Sequence, residues 1–349
     1  MKKFRLFSGV IAMAFLAFSC YNDPEVPKGE YDSGILIWNE GAFGANDGEV
    51  FHLNANTNEV QNNVFERANS RPFAGLIQEV VASEGNFYLV ANTGKVEVVN
   101  SSTFVSLGSV NEGLDISRSA VVANGKLYIS DWGPYNASFQ NPSSYVAVVN
   151  QTTGGTISKK IPVSSRPEGM SIVGDRLLVA CAGAAKIEVI SLEQETVVKS
   201  IEVQGTPVRF FRHNGVLYLF SRSAQEVFLN KINVSTFEVI GVTTFPLPAS
   251  TSRFALGEAN DLYVISSSGW PSYNDAIAKL EINTGQVVQA SIYSGSGFYG
   301  IGFDPAKKQI YVGDNNGFQG NGTVIVLDAN GREVKTLEAG RGPAGFIFR

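Results

Sequence analysis

The sequence predicts an all-β protein, a seven-bladed β-propeller, and three observations lead to this fold class. The 349-residue chain has 36 glycines, 44% hydrophobic residues and only 17% charged residues, which is typical of a folded β protein rich in turns. A strand-rich unit of about 45 residues recurs along most of the chain. The C-terminal residues resemble the start of a unit, whereas the N-terminal region lacks that start. A closed ring of repeated sheets accounts for all three observations.

Two apolar runs in each unit predict strands, because they are short and rich in Val, Ile, Leu and Tyr. The first run opens with a turn at Gly85, Gly125, Gly174, Gly215, Asn260 and Lys308. The second run starts at Lys95, Tyr145, Lys186, Glu226, Ala276 and Thr323. With an inner and an outer strand added, each unit has the four strands of a propeller blade.

The number of blades follows from how the chain ends fit together. Residues 35–38, 49–53 and 59–65 predict the second, third and fourth strands of a blade that has no first strand. Residues 343–349 match residues 167–173, which open another blade, so we expect the C-terminal strand to complete the first blade. Residues 33–349 then form seven blades, with inner strands that begin near Ala74, Asp115, Glu168, Val208, Ser252, Tyr299 and Ala344.

The first 32 residues predict export and membrane attachment. Lys2, Lys3 and Arg5 precede an apolar run at 6–18, which is shorter than the roughly 20 residues that a membrane-spanning helix needs. A small residue then precedes Cys20, as in a bacterial lipobox, so we predict a signal peptide at 1–19, lipidation of Cys20 and a tether at 20–32. An ordinary signal peptide or an uncleaved anchor helix is the alternative. Cleavage would change the formal net charge from −5 to −8, which disfavours nucleic acid as a partner.

At this point the sequence resembles a known family. The segments 166–170, 177–180 and 186–190 resemble the YVTN-type propeller repeat, and 37–44 with 301–314 are similar to a branch of Bacteroidota surface lipoproteins. Some members of that branch bind cobalamin at the cell surface and sit on a TonB-dependent outer-membrane transporter. The resemblance implies an outer-membrane lipoprotein with a ligand and a transporter partner. Two locations are compatible with this resemblance, the cell-surface side and the periplasmic side of the outer membrane.

The loops between second and third strands predict a binding face, because four of them are long and insertions on one face of a scaffold are usually functional. They cover residues 39–48, 131–144, 266–275 and 314–322. Aromatic residues concentrate there or on a blade link, and they predict ligand contacts. The candidates are Phe43, Trp132, Tyr135, Phe139, Trp270, Tyr273, Phe298, Tyr299 and Phe318, of which Trp132, Tyr135, Trp270 and Tyr273 are the expected anchors.

Arginines near the starts of inner strands are further candidates. Arg118, Arg166 and Arg253 lie close to the expected central channel, where they would attract an anion or pair with neighbouring acids such as Glu168. Pairing within the structure is the preferred interpretation for most arginines of this type. The aromatic rings have an alternative too, since each could cover the top of its own blade.

Catalysis is not expected from this sequence. The only two histidines, His52 and His213, are predicted on a strand and in a tight turn of the opposite face, so they cannot form a triad or a metal site. Only Cys181 remains as a thiol after Cys20 is lipidated, and we expect it to be buried. No cofactor or metal is predicted. A hydrolase or lyase that uses Asp131, Asp275, Asp314 or Glu40 is the remaining enzymatic alternative.

These observations lead to a cell-envelope lipoprotein that binds a ligand on its long-loop face for delivery to an outer-membrane transporter. The ligand could be a cofactor such as cobalamin, a glycan or a peptide. The alternative from another class is a protein–protein scaffold of the cell envelope that uses the same face.

Overall fold

The computed structural model describes residues 29–55, 57–269 and 271–349. Within these residues, 28 strands form seven antiparallel sheets of four strands each. The predicted seven-bladed propeller is therefore confirmed. The signal peptide and Cys20 lie outside the described residues, as does the expected anchor Trp270.

In each blade the four strands run in sequence order from the channel outward, and the C-terminal strand takes the innermost place in blade 1. Blade 1 consists of β28 (Pro343–Phe348), β1 (Ile35–Asn39), β2 (Glu49–Leu53) and β3 (Val60–Gln61). Blade 2 consists of β4 (Ile77–Ser83), β5 (Asn86–Ala91), β6 (Lys95–Asn100) and β7 (Ser106–Val110). Blade 3 consists of β8 (Ser117–Ala123), β9 (Lys126–Asp131), β10 (Tyr145–Val149) and β11 (Ile157–Pro162). Blade 4 consists of β12 (Pro167–Val173), β13 (Arg176–Cys181), β14 (Lys186–Ser191) and β15 (Thr196–Glu202).

The remaining three blades follow the same order. Blade 5 consists of β16 (Thr206–His213), β17 (Val216–Arg222), β18 (Val227–Asn233) and β19 (Glu238–Phe245). Blade 6 consists of β20 (Ser250–Leu256), β21 (Asp261–Ser267), β22 (Asp275–Glu281) and β23 (Gln286–Gly295). Blade 7 consists of β24 (Phe298–Asp304), β25 (Gln309–Asp314), β26 (Thr323–Asp328) and β27 (Glu333–Glu338). The inner strands begin within three residues of the predicted positions.

The C-terminal strand closes the ring. It pairs antiparallel with β1, with Ile35 opposite Phe348 and Ile37 opposite Phe346. The backbone N–H of Arg349 also donates to the carbonyl of Gly34 at 2.9 Å. The predicted completion of blade 1 by the end of the chain is thus confirmed, and the first and last parts of the propeller share one sheet.

The hydrophobic core is divided among the blade interfaces. Seven clusters of buried side chains occur in the described chain, and each one joins residues of two neighbouring blades. The second strands of blades 2, 3, 6 and 7 each place a tyrosine in these clusters at 1% exposure or less: Tyr88, Tyr128, Tyr263 and Tyr311. The repeated Tyr of the sequence pattern is therefore a packing residue between blades.

The outer part of blade 1 differs from the sequence prediction. A strand was expected over residues 59–65, but β3 ends at Gln61 and a short helix, α1 (Val64–Asn69), follows. Asn63 has φ 50°, which ends the extended conformation. The carboxylate of Glu49 then accepts the backbone N–H of Phe65 at 3.0 Å and of Glu66 at 3.3 Å. The helix buries Val64 and Phe65 and covers part of the edge of β2 that β3 leaves unpaired.

The two faces of the ring are distinct, because consecutive strands in a blade run in opposite directions. Loops between second and third strands share one face with the blade links, and the remaining hairpins form the opposite face. The described chain enters on this hairpin face, where the N–H of Tyr31 donates to the carbonyl of Ser102 at 3.1 Å. Arg349 pairs there with Asp32 at 3.0 Å. Both ends of the described chain are therefore held opposite the long-loop face.

Candidate functional site: the channel mouth on the long-loop face

A cavity of about 160 Å³ lies at the mouth of the central channel. It is lined by the upper parts of blades 2 to 6, and four arginines contribute to it: Arg118, Arg209, Arg222 and Arg253. Glu79 and Glu168 are the acidic residues of the lining. Blades 4 and 5 carry short loops at 182–185 and 223–226, so the mouth is open on their side. We call this cavity the mouth site.

Two of the arginines at the mouth form ion pairs with the acids of the lining. Nε of Arg118 lies 3.2 Å from Glu168, and its Nη1 donates to Gln78 at 2.7 Å. Arg209 lies 3.1 Å from Glu79. The preferred interpretation of structural pairing therefore describes Arg118, whose guanidinium is held in place from two neighbouring blades.

Trp132 connects the mouth site to a second concavity. Its ring lies 4.5 Å from the guanidinium of Arg118 and 5.1 Å from that of Arg166. Arg166 in turn lines an open groove of about 400 Å³ between the blade 3 loop and the start of blade 4. The half-buried indole thus lies between two cations, and cation–π contacts of this kind stabilise by about 0.5–1 kcal/mol at exposed sites.

The loop of blade 3 that carries Trp132 is held by hydrogen bonds at its base. Asp131 is fully buried and accepts the N–H of Gly133 at 2.7 Å, as well as groups from the start of β8. Ser144 donates to the carbonyl of Trp132 at 2.8 Å, and Asn141 to that of Gly133 at 3.2 Å. These bonds fix both ends of the loop, so its aromatic tip is presented by a rigid base.

A second polar cluster lies where blades 1, 6 and 7 meet. The hydroxyl of Tyr299 donates to Glu40, and the nearest atoms of Glu40 and Arg253 are 3.9 Å apart. Burial and the charge of Glu40 raise the pKa of Tyr299, so it remains a neutral donor. Phe318 packs edge-on against Tyr299 at 5.1 Å. Phe318 and Tyr299 are therefore brought together at the edge of the mouth beside Arg253.

The other aromatic candidates divide by exposure. Phe43, Tyr135 and Phe139 are 97%, 50% and 78% exposed, and the rings of the latter two lie 6.5 Å apart. Tyr273 is 38% exposed, on the same loop as Trp270. Phe298, in contrast, is 7% exposed and stacks on Tyr293, so it belongs to the core and offers no surface to a ligand.

Sequence reasoning missed Gln78, Glu79, Arg209 and Arg222 of the mouth site, although it had named Arg118 and Glu168. Gln78, Arg118 and Glu168 are each the second residue of an inner strand, and all three line the cavity. This repeat position would have pointed to Gln78. Arg222 ends the second strand of blade 5, and nothing in the sequence pattern distinguishes it from a solvated arginine.

The carboxylates considered for catalysis hold the structure together. Asp131 is surrounded by donors, and buried Asp275 accepts the N–H of Phe298 at 2.8 Å. Asp314 accepts the N–H of Asn316 at 2.8 Å within its own loop. In the described part of the chain, no group of three or more His, Cys, Asp or Glu side chains is arranged to hold a metal ion. His52 binds the carbonyl of Ser33 and lies in another part of the ring from His213.

The free thiol is an internal packing group. Cys181 is completely buried, and burial raises the pKa of its thiol, so the nucleophilic thiolate form is suppressed.

Within the described residues, no helix has the length and apolar character that a membrane crossing requires.

Residues 33–349 match the model of a family described as a domain of unknown function, DUF5074. The chain belongs to this family. Among curated proteins, none matches the chain significantly. The match covers the whole propeller, so the seven blades and the mouth site lie within one DUF5074 domain.

Several solved structures share the fold of this DUF5074 protein at low sequence identity. A quinoprotein alcohol dehydrogenase-like protein of Bacteroides thetaiotaomicron is 13% identical, with a TM-score of 0.68 over 91% of this chain and 78% of the other. A 6-phosphogluconolactonase-like protein of Bacteroides fragilis is 14% identical, with a TM-score of 0.64 over 93% and 100%. A functionally unknown protein of Desulfotomaculum acetoxidans is 8% identical, with a TM-score of 0.63 over 90% and 98%. At these identities the similarity shows the fold alone.

Proposed function

We propose that this DUF5074 protein is a cell-envelope lipoprotein that binds a ligand at the channel mouth of its long-loop face. The observation that carries the proposal is the position of Trp132 between Arg118 of the mouth site and Arg166 of the neighbouring groove. The mouth cavity of about 160 Å³ suits one polar group, and the groove of about 400 Å³ offers space for the rest of a ligand. The carbonyl of Phe139 accepts Nη2 of Arg166 at 3.3 Å beside this groove, and the exposed ring of Tyr135 lies 6.5 Å from that of Phe139.

The way the chain enters the propeller supports a defined orientation on the membrane. Eight residues separate Cys20 from Gly29, and at full extension the nine steps from Cys20 to Gly29 reach about 30 Å. Gly29 donates to Asp32 on the hairpin face, next to Ser102. A lipid attached at Cys20 therefore holds the hairpin face towards the membrane and directs the long-loop face away from it. Delivery to a TonB-dependent transporter is the part of the proposal that depends on the family resemblance.

Replacement of Cys20 by Ala tests the anchor. We expect the protein to move from the membrane fraction to the soluble fraction, because the acylated residue is lost. Fractionation followed by mass spectrometry of the N-terminus measures this, with Cys181→Ala as the control that leaves the distribution unchanged. If the C20A protein stays in the membrane with residues 1–19 uncleaved, an anchor helix replaces lipidation as the explanation.

Ligand binding is tested by thermal shift of residues 20–349 against cyanocobalamin, oligosaccharides and short peptides. A ligand at a hundredfold excess over Kd stabilises by about 2.7 kcal/mol, which raises Tm by a few degrees. For a ligand so found, we expect Trp132→Ala to weaken binding by about 2 kcal/mol, roughly thirtyfold, because both neighbouring arginines lose their support. Phe43→Ala, on a fully exposed ring of blade 1, is the matched control.

The outcome that would contradict the site is equally specific. Normal binding by W132A together with a much lower Tm would make the indole a structural lid.

The envelope scaffold is the second candidate function, and the exposure of Phe43 and Phe139 on one face favours it. Under that alternative, F43A and F139A would weaken capture of a protein partner, and no small molecule would shift Tm.

A further inference from the structure

We propose that the mouth site recognises an oxyanion, a carboxylate or phosphate group of its ligand, held by Arg222 and Arg253. This inference rests on the proposed function and names the chemical class of ligand that the same site takes. It depends on how the four arginines at the mouth divide into paired and unpaired groups.

Arg118 and Arg209 are neutralised by their partners, Glu168 and Glu79, at 3.2 and 3.1 Å. Both acids of the cavity lining are thereby used. An additional anion would therefore gain little from these two guanidiniums. The first pair joins blades 3 and 4, and the second joins blades 5 and 2.

Arg222 is different, because its contact is with a neutral group. Its Nη1 donates to the carbonyl of Ser250 at 3.0 Å, and among the described residues no carboxylate lies within 4 Å of it. A guanidinium has five N–H donors, so most of those of Arg222 remain available. The carbonyl contact holds the guanidinium at the boundary between blades 5 and 6 without neutralising it.

Arg253 is the second available cation. Its nearest carboxylate, Glu40, lies at 3.9 Å, beyond hydrogen-bonding distance, and that oxygen already accepts the hydroxyl of Tyr299. The guanidinium lies 5.4 Å from the ring of Tyr299, which supports it from one side. Thr206 and Ser252, which carry hydroxyl groups, also line this cavity.

The size and charge of the cavity agree with an oxyanion. A volume of about 160 Å³ equals that of roughly five water molecules at about 30 Å³ each, enough for a carboxylate or phosphate group and some water. The predicted mature chain has a formal net charge of −8, so two arginines without a hydrogen-bonded carboxylate in one small cavity run against the overall charge of the protein. Arginine in a fork geometry matches both carboxylate and phosphate oxygens.

The test measures binding of inorganic phosphate and of D-glucuronate by titration calorimetry at low ionic strength, with chloride and D-glucose as controls. We expect binding of at least one oxyanion, weakened tenfold or more in Arg222→Gln and in Arg253→Gln. Arg222→Lys should bind with intermediate affinity, because it keeps the charge and loses the fork. Arg176→Gln, on the hairpin face, is the matched control and should bind as the unaltered protein does.

The phosphate and glucuronate arms distinguish the two kinds of oxyanion. Equal affinity of R222Q and the unaltered protein, or a response to both phosphate and D-glucuronate no greater than that to chloride, would overturn the inference, provided that each variant unfolds at its normal Tm. If a neutral ligand binds in a Trp132-dependent way while neither oxyanion does, the proposed function stands and this inference fails. If oxyanions bind through Arg222 but no ligand depends on Trp132, the inference stands and the wider site must be redrawn.

Discussion

Truncation after Gly342 is expected to abolish cooperative folding of the propeller. The deletion removes β28, which pairs with β1 across five residues and lies beside the inner strand of blade 7. Ala344 and Phe346 are buried in two different blade interfaces, and burial of a side chain such as that of Phe346 contributes about 1.5–3 kcal/mol. The loss also opens the ring and exposes the edge of β1, which favours aggregation.

Gel filtration and thermal unfolding followed by near-ultraviolet circular dichroism measure this outcome. A cooperative transition within a few degrees of the Tm of the full chain would show that the ring does not depend on its last strand. Gly345→Ala is a point variant with the same target, because a Cβ there would lie 2.1 Å from the ring of buried Trp38. We expect it to cost about 1–3 kcal/mol, whereas Gly241→Ala, with open space at its Cβ, should cost little.

Glu49 is expected to make the protein less stable as the pH rises from about 5 to 8. Burial raises the pKa of its carboxyl from 4.5 to about 7, against the opposing effect of three backbone N–H donors. Well below pH 4.5 the carboxyl is neutral in both the folded and the unfolded state, so its contribution to stability is complete. As the pH rises towards 7, the unfolded chain ionises first, and the free energy of unfolding falls by about 3 kcal/mol.

Urea unfolding at several pH values measures this change, and Glu49→Gln should remove most of the slope. Its absolute stability is not the readout, since the amide nitrogen would face the N–H of Glu66. Glu97→Gln is the control, because Glu97 is also a buried carboxylate but pairs with Arg71 at 2.6 Å and Lys95 at 3.4 Å. We expect this variant to keep the loss of stability between pH 5 and 8 that Glu49 causes. An E49Q protein that loses stability with pH as steeply as the unaltered protein would assign the slope to other groups.

The repeat pattern predicted most of the fold because each blade uses the same local solution. The apolar runs that open after Gly125 and Gly215 became β9 and β17, as expected for short alternating strands between turns. The prediction was wrong for residues 62–65. Val64 and Phe65 suit a strand, but Asn63 turns the chain and Glu49 caps the first N–H groups of α1. That carboxylate is distant in sequence, so no local pattern could reveal it.

The sequence by itself determined the propeller, its blade number, its ring closure and the face that carries the long loops. These properties depend on periodicity and on the match between chain ends, which are present in the order of the residues. Only the tertiary structure decided which arginines are neutralised, that Trp132 lies against two of them, and that Phe298 is buried. These properties depend on side chains from different blades meeting around the channel, as Gln78 and Arg118 do although they are 40 residues apart in the sequence. The closed ring as a whole sets how the blades face one another, so the sequence of a single repeat cannot reveal these contacts.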